Sequence, residues 1–226
     1  MKINKPLVAI LFWLSFIPQI CSAQGNSGLA PWYSIEVVLF TRNKSPGATG
    51  EIWPVASGEL GWESERTENY SLVPTGSWRL SGAEQALKNS QEGLIPVIHT
   101  AWRQPVYSQN SARSFYLKSE REIAPGTPLI EGMVKISVSR YLHADLNLIL
   151  RGTPAGADRL PGGFQTFRFN EHRRMRSREL HYIDHPLMGM LIQITPLNSV
   201  ESQASEIDDS QEPNSQEVTD EAADTD

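Results

Sequence analysis

Five arginines fall within Arg168-Phe169-Asn170-Glu171-His172-Arg173-Arg174-Met175-Arg176-Ser177-Arg178. A guanidinium offers a planar donor fork that matches carboxylates and phosphates. On an extended chain Arg174, Arg176 and Arg178 fall on one side. Two readings stay open. The run is a solvated face paired with Glu171, Glu179 and more distant acids, or it is an anion-binding surface. The second reading takes Arg173, Arg174, Arg176 and Arg178 as ligand contacts, with His181 and Tyr182 beside them. The next stretch is His181-Tyr182-Ile183-Asp184-His185-Pro186. On a helix, His181 and His185 at i,i+4 would suggest a metal pair. Pro186 and the β-rich context argue against a helix, and extension separates the two rings. Asp184 then fixes a turn or a histidine tautomer, and no metal is expected.

Tryptophan is the third candidate. Trp53 and Trp62 sit in loop sequence with Glu51, Glu59, Glu63 and Glu65 nearby. Aromatic faces beside carboxylates can hold sugars, and they also describe ordinary loop packing. Paired carboxylates could serve a glycosidase, but spacing in sequence does not fix their separation in space. G-x-S-x-G, H-E-x-x-H and a phosphate-binding glycine loop are missing, as is S-x-x-K beyond the leader. No cofactor is called for.

These residues need a frame. Tyr33 to Phe40 alternates, with Tyr33, Ile35, Val37 and Leu39 on one face, and reads as a strand. Arg42 to Thr75 is rich in Gly, Pro, Ser and Glu and reads as a long loop. Ser81 to Glu92 reads as a helix, with Ser81 as N-cap, Glu84 as its capping-box partner and Gly93 as the stop. Leu94 to Trp102 reads as a strand, and Phe115 to Leu117 as a short one. Ile130 to Leu150 is the strongest β signal. Ile130, Val134, Ile136, Val138, Leu142, Ala144, Leu146, Leu148 and Leu150 share one parity. A straight strand of that length would approach ~70 Å, so a bend or turn is expected at Ser139 to Tyr141. The opposite face, from Lys135 to Asn147, is polar enough to be solvated. Arg151 to Gly163 reads as loop, Phe164 to Asn170 as a strand, Arg173 to His185 as a polar basic segment, and Met188 to Thr195 as the closing strand. Sequential strands with short connections favour antiparallel pairing. The expected fold is α+β: a mostly antiparallel sheet, a helix packed on one face, and long loops.

Both ends read differently from the body. Lys2 and Lys5 precede an apolar run from Leu7 to Ile20, and Cys21-Ser22-Ala23 supplies small residues before Gln24. That is the layout of a cleavable signal peptide over residues 1–23. Cleavage after Ala23 would remove the single cysteine, so neither disulfides nor thiolate chemistry are expected. Between Val200 and Asp226 stand ten acidic residues and no Lys or Arg, the composition of a disordered acidic tail. The whole chain carries −6, but the body at 24–199 is near +2 once both ends are set aside. It is long enough for one domain with a sizeable core.

Several of these strings together resemble the CsiV family of periplasmic peptidoglycan-binding proteins: Tyr33 to Phe40, His99-Thr100-Ala101-Trp102-Arg103-Gln104-Pro105, Ser139-Arg140-Tyr141-Leu142-His143, and Arg173 through Pro186. The resemblance spans about Trp32 to Pro196. It implies a non-enzymatic role in cell-wall synthesis and cell shape, outside the cytoplasm. It also implies partners: peptidoglycan, a class A penicillin-binding protein and an LpoA-type outer-membrane lipoprotein activator. It brings no ligand-contacting residue set. Neither nucleic acid nor membrane insertion after cleavage is expected. The alternatives are an envelope adaptor that binds only proteins, and a wall hydrolase using Glu and Asp.

Overall fold

The computed structural model describes residues 30–42, 66–152 and 164–197. The leader, the Trp53 and Trp62 stretch, segment 153–163 and the acidic tail lie outside the described residues.

The long alternating run folds as expected, into a hairpin. Strand β7 (Ile130–Val138) and strand β8 (Leu142–Gly152) pair antiparallel, with Val138 opposite Leu142 and the reversal at Ser139 to Tyr141. One parity of both strands is buried: Ile130, Val134, Ile136, Leu142, Ala144, Leu146, Leu148 and Leu150. Gly132 belongs to that row. A Cβ there would lie 2.5 Å from the Leu148 Cα and against the Asn147 carbonyl, so no larger residue fits without moving backbone. The hairpin is flanked by β4 (Ser114–Lys118) and β9 (Gln165–Met175), giving a sheet in the order β4-β7-β8-β9.

That apolar face must be covered, and the alternating strand at the start of the chain covers it. Strand β1 (Trp32–Arg42) sends Ile35, Val37 and Leu39 into the same core. It is central in a second sheet, β10-β11-β1-β3-β2. The partners are β2 (Ser71–Leu72), β3 (Leu94–Pro105), β10 (Leu180–His185) and β11 (Met188–Pro196). Ladder pairings in both sheets are antiparallel. Strands β5 (Glu122–Ala124) and β6 (Thr127–Pro128) form a small ribbon beside them. Trp102 on β3 stacks on Phe115 of β4 at 4.0 Å between ring centres and so joins the two sheets.

The expected single sheet with a helix on it is therefore corrected to two facing sheets. Neither sheet alone hides its apolar rows, and each serves as cover for the other. Helix α1 (Ser81–Lys88) is shorter than the expected Ser81 to Glu92 and buries no residue fully. Its N-cap is Leu80, without a side-chain cap. The expected Ser81–Glu84 capping box does not form, because Glu84 is held elsewhere, by Lys88 at 2.7 Å and His99 at 2.8 Å. The Glu36 carboxylate accepts from the backbone N–H groups of Arg79 and Leu80 instead.

One further expectation changes, and another gains detail. The polar face of the hairpin is not wholly solvated, since Ser137 and Asn147 are buried there beside Met133 and Ile149. The polar basic segment Arg173 to His185 resolves into the end of β9 at Met175, a turn, and β10 from Leu180. Strand β10 is an edge strand that buries only Ile183 fully, so its composition carries little apolar signal.

Candidate functional site

Strand β9 ends at Met175, and this decides how the arginine run is displayed. Arg178 takes a positive φ of 66° in the turn to β10. Arg174, Arg176 and Arg178 therefore do not continue on one extended face, as the sequence suggested; they wrap around one end of the sandwich. The turn is pinned on both sides. The Arg178 N–H donates to the Ile194 carbonyl at 2.7 Å, and Gln193 donates its side-chain amide to the Arg178 carbonyl at 3.0 Å. His181 sits under the turn, its Nε2 3.2 Å from the Arg176 backbone nitrogen.

The hairpin turn Ser139 to Tyr141 meets this corner. Register pairs His143 with Arg174 and Leu142 with Met175. The Arg174 guanidinium lies over the Tyr141 ring at 4.5 Å, and that of Arg140 approaches the same ring at 5.7 Å. A cleft of about 280 Å³ opens here, lined by Tyr33, Val138, Arg140, Tyr141, Arg176 and their neighbours. Arg176 and Glu179 stand 3.6 Å apart and well exposed, a pairing of about 0–1 kcal/mol at most. Among the described residues, Arg140, Arg173, Arg174 and Arg178 form no ion pair. Among the described residues the corner is cationic and largely uncompensated.

A polar chain backs it. Asp145 Oδ1 lies 2.6 Å from His172 Nδ1, His172 Nε2 lies 3.2 Å from His143 Nδ1, and His143 Nε2 lies 3.4 Å from the Ser139 hydroxyl. The chain ties β9 and β8 to the hairpin turn, and so fixes the loop that carries Arg140 and Tyr141.

The predicted residues thus separate into groups. Arg174, Arg176 and Arg178 gather at one end, and His181 supports them from beneath the turn; Arg173 is close in sequence but sits on the other face of β9, opposite Ala144. Tyr182 does not join them. Neighbours on a strand face opposite sides, and Tyr182 lies on the outer face of the five-stranded sheet. There its hydroxyl donates to Asp184 and accepts from Arg42, and its ring stacks on Phe40 at 6.2 Å. Burial and the Asp184 carboxylate push the Tyr182 hydroxyl up to about 12. Although burial opposes it, the bonds from Tyr182 and Arg42 hold Asp184 below the usual carboxylate range. This is a structural clamp between β1 and β10. His185 is also structural. Its Nδ1 accepts from the Leu187 N–H at 3.3 Å, and burial lowers its affinity for a proton. Arg140, Tyr141, His143 and His172 were not singled out from the sequence as members of the site. Arg174 lies about thirty residues from Tyr141, as does His172 from His143, and the β8–β9 register brings them together.

Among the described residues no helix is long and apolar enough to cross a membrane, and no three acids or histidines are placed so that they could hold a metal ion. Neither a curated protein nor a solved structure matches the chain. A family model described as "Peptidoglycan-binding protein, CsiV" matches residues 62–197, which takes in both sheets except β1. The match covers more than half of the sequence, and the chain belongs to the CsiV family.

Proposed function

We propose that this chain is a non-enzymatic peptidoglycan-binding protein of the periplasm. It takes the carboxylates of stem peptides at the arginine-rich corner, and it supports wall synthesis by a class A penicillin-binding protein with its LpoA-type lipoprotein activator. Family membership supports the ligand. The observation that carries the site is the meeting of Arg140 and Arg174 on the Tyr141 ring beside a cleft that Arg140, Tyr141 and Arg176 line, with Glu179 as the nearby acid. Three groups of one charge at one corner cost repulsion that a purely structural turn has no need to bear. An anionic polymer relieves it.

The test is co-sedimentation with purified sacculi. Charge-assisted hydrogen bonds contribute about 1.5–3 kcal/mol when partly desolvated, and exposed pairs about 0–1 kcal/mol. Arg174→Ala/Arg176→Ala should therefore weaken binding by a few-fold to about a hundredfold. Binding should also fall with salt, because exposed charges are screened beyond ~8 Å at physiological ionic strength. Equal sedimentation of folded wild type and variant across a salt series would remove this corner from the site.

A further inference from the structure

We propose a second ligand site: a groove along the opposite part of the sandwich that binds a neutral, N-acetylated glycan. It extends the peptidoglycan reading to the sugar strand, but its geometry and its test do not depend on the arginines.

The groove lies where the two sheets present open edges to each other. Four consecutive residues of β3, Val97 to Thr100, and four of β4, Phe115 to Lys118, line a cleft of about 450 Å³ together with Trp78, Glu84 and Glu120. A second cleft of about 500 Å³ continues from it past Tyr116, Lys118 and Glu120 to Thr127, Glu131 and Arg151. The shared residues make this one elongated groove, and an elongated groove suits a linear polymer.

Three features select the chemistry. First, main-chain groups are open. Strand β4 is the edge of its sheet, and among the described residues it pairs with β7 along its length and with Arg66 at Ser114 alone. The Ser114 carbonyl points away from β7, since it accepts from the Thr67 N–H. Alternation then turns the N–H and C=O of Tyr116 and Lys118 the same way, and among the described residues they have no partner. Strand β3 is bordered by β2 only at Trp102 and Arg103, and the Ala101 carbonyl accepts from Val73. Among the described residues, alternation leaves the His99 main chain open on that side. An acetamido group carries one N–H and one C=O, as a peptide does, and can pair with such an edge. A plain glucan has no equivalent.

Second, two aromatic rings border the groove, each backed by protein. Trp78 rests on His99 at 4.1 Å, with its indole N–H bonded to the Val73 carbonyl, and Tyr116 lies beneath the Arg66 guanidinium at 4.9 Å. Rigid rings give sugar C–H faces a platform at little entropic cost. Third, the lining is of mixed charge. Glu84, Glu120, Glu122 and Glu131 face the groove with Lys118 and Arg151, Glu84 is paired with Lys88, Glu131 with Arg151, and Arg66 lies over Tyr116. Such a lining offers carboxylate acceptors to sugar hydroxyls and lacks the cationic excess that would select an anion.

The experiment titrates the protein with the β-1,4-linked tetrasaccharide of N-acetylglucosamine and, separately, with the β-1,4-linked tetrasaccharide of glucose, by calorimetry and by amide chemical-shift mapping. The N-acetylated oligomer is expected to bind at least ~10-fold tighter, the value of about 1.4 kcal/mol for one good neutral hydrogen bond. Its shifts should centre on residues 97–100 and 115–120, and its affinity should be insensitive to salt. Trp78→Ala/Glu120→Ala should weaken it by ~10-fold or more, whereas Trp78→Phe, which keeps an aromatic face, should retain most of it. Arg174→Ala/Arg176→Ala should leave it unchanged. Equal binding of both oligomers, binding of neither, or loss of binding in the arginine variant alone would overturn the proposal. The first two results leave sedimentation through the arginine corner untouched, and the third would move the glycan to that corner.

Discussion

Arg178 is the one described residue other than glycine with a positive φ. For a residue with a Cβ this conformation costs roughly 1–2 kcal/mol. Glycine avoids that cost but loses more chain entropy on folding, by about 0.5–1 kcal/mol. Arg178→Gly should therefore leave stability unchanged or raise it by up to about 1 kcal/mol, while weakening sedimentation with sacculi. Denaturant midpoints and sedimentation on the same samples decide it. A clear fall in stability would show that the side chain holds the turn, and full binding would show that it has no part in the site. His185 leads to a prediction in pH. Its folded affinity for protons is lowered, chiefly by burial. The neutral ring is thus the folded form, and its contribution is present above the ordinary value of 6.5 and is lost as pH falls below it. Urea midpoints should drop between neutral and mildly acid pH, and His185→Phe, which keeps a ring against Phe169, should flatten that drop. An unchanged slope in the variant would assign the acid sensitivity elsewhere. Asp184 and Glu84, both held below their usual range, add losses only at lower pH, as it falls from the ordinary carboxylate region.

Helix α1 shows how an element can be placed without burial. It has no fully buried residue, so apolar packing does not fix it. The Glu36 carboxylate, 6% exposed, reaches from β1 to the N–H groups of Arg79 and Leu80 at 2.9 and 2.7 Å, and to His99 Nε2 at 2.9 Å. Glu84 reaches from the helix to the other nitrogen of His99. Removing one member of such a buried polar set costs about 3–5 kcal/mol. Glu36→Ala should destabilise the domain by about that much, and amide exchange should speed up first at residues 81–88. A loss spread evenly over all strands would refute the local role. The same helix marks what could be read from sequence. Its start at Ser81 and the left-handed Gly93 before β3 were legible, because propensity and punctuation are local. The partner of Glu84 was not, since His99 meets it through tertiary packing. Strands followed the same rule. The β7–β8 hairpin announced itself through nine residues of one parity. Strand β10, half exposed at Leu180 and Tyr182, carried no period. The division into two sheets was illegible for a related reason: alternation says that a face is apolar, but not which face covers it.

The arginine corner and the glycan groove lie at different places on one rigid sandwich. Val138 borders the first and Glu131 the second, and both are on β7. Seven residues of strand separate them, about 23 Å at ~3.3 Å per residue. A polymer long enough to reach both can engage them together, and the second contact then forms at high effective concentration. Avidity of that kind exceeds either single affinity by about 10²–10⁴. A bivalent protein should therefore respond differently to intact sacculi and to short soluble fragments. On sacculi, Arg174→Ala/Arg176→Ala and Trp78→Ala/Glu120→Ala should each lower affinity by at least ~10-fold, and the combined variant should sediment no better than a non-binding control. On a free stem peptide only the arginine variant should lose binding, and on the N-acetylglucosamine tetrasaccharide only the groove variant. Salt should weaken the first interaction and spare the second, because only the corner depends on unscreened charge. If the groove variant binds sacculi as wild type does, the polymer is held at the corner alone. If both variants lose the same factor on sacculi as on their own fragments, the two sites do not engage one strand at once.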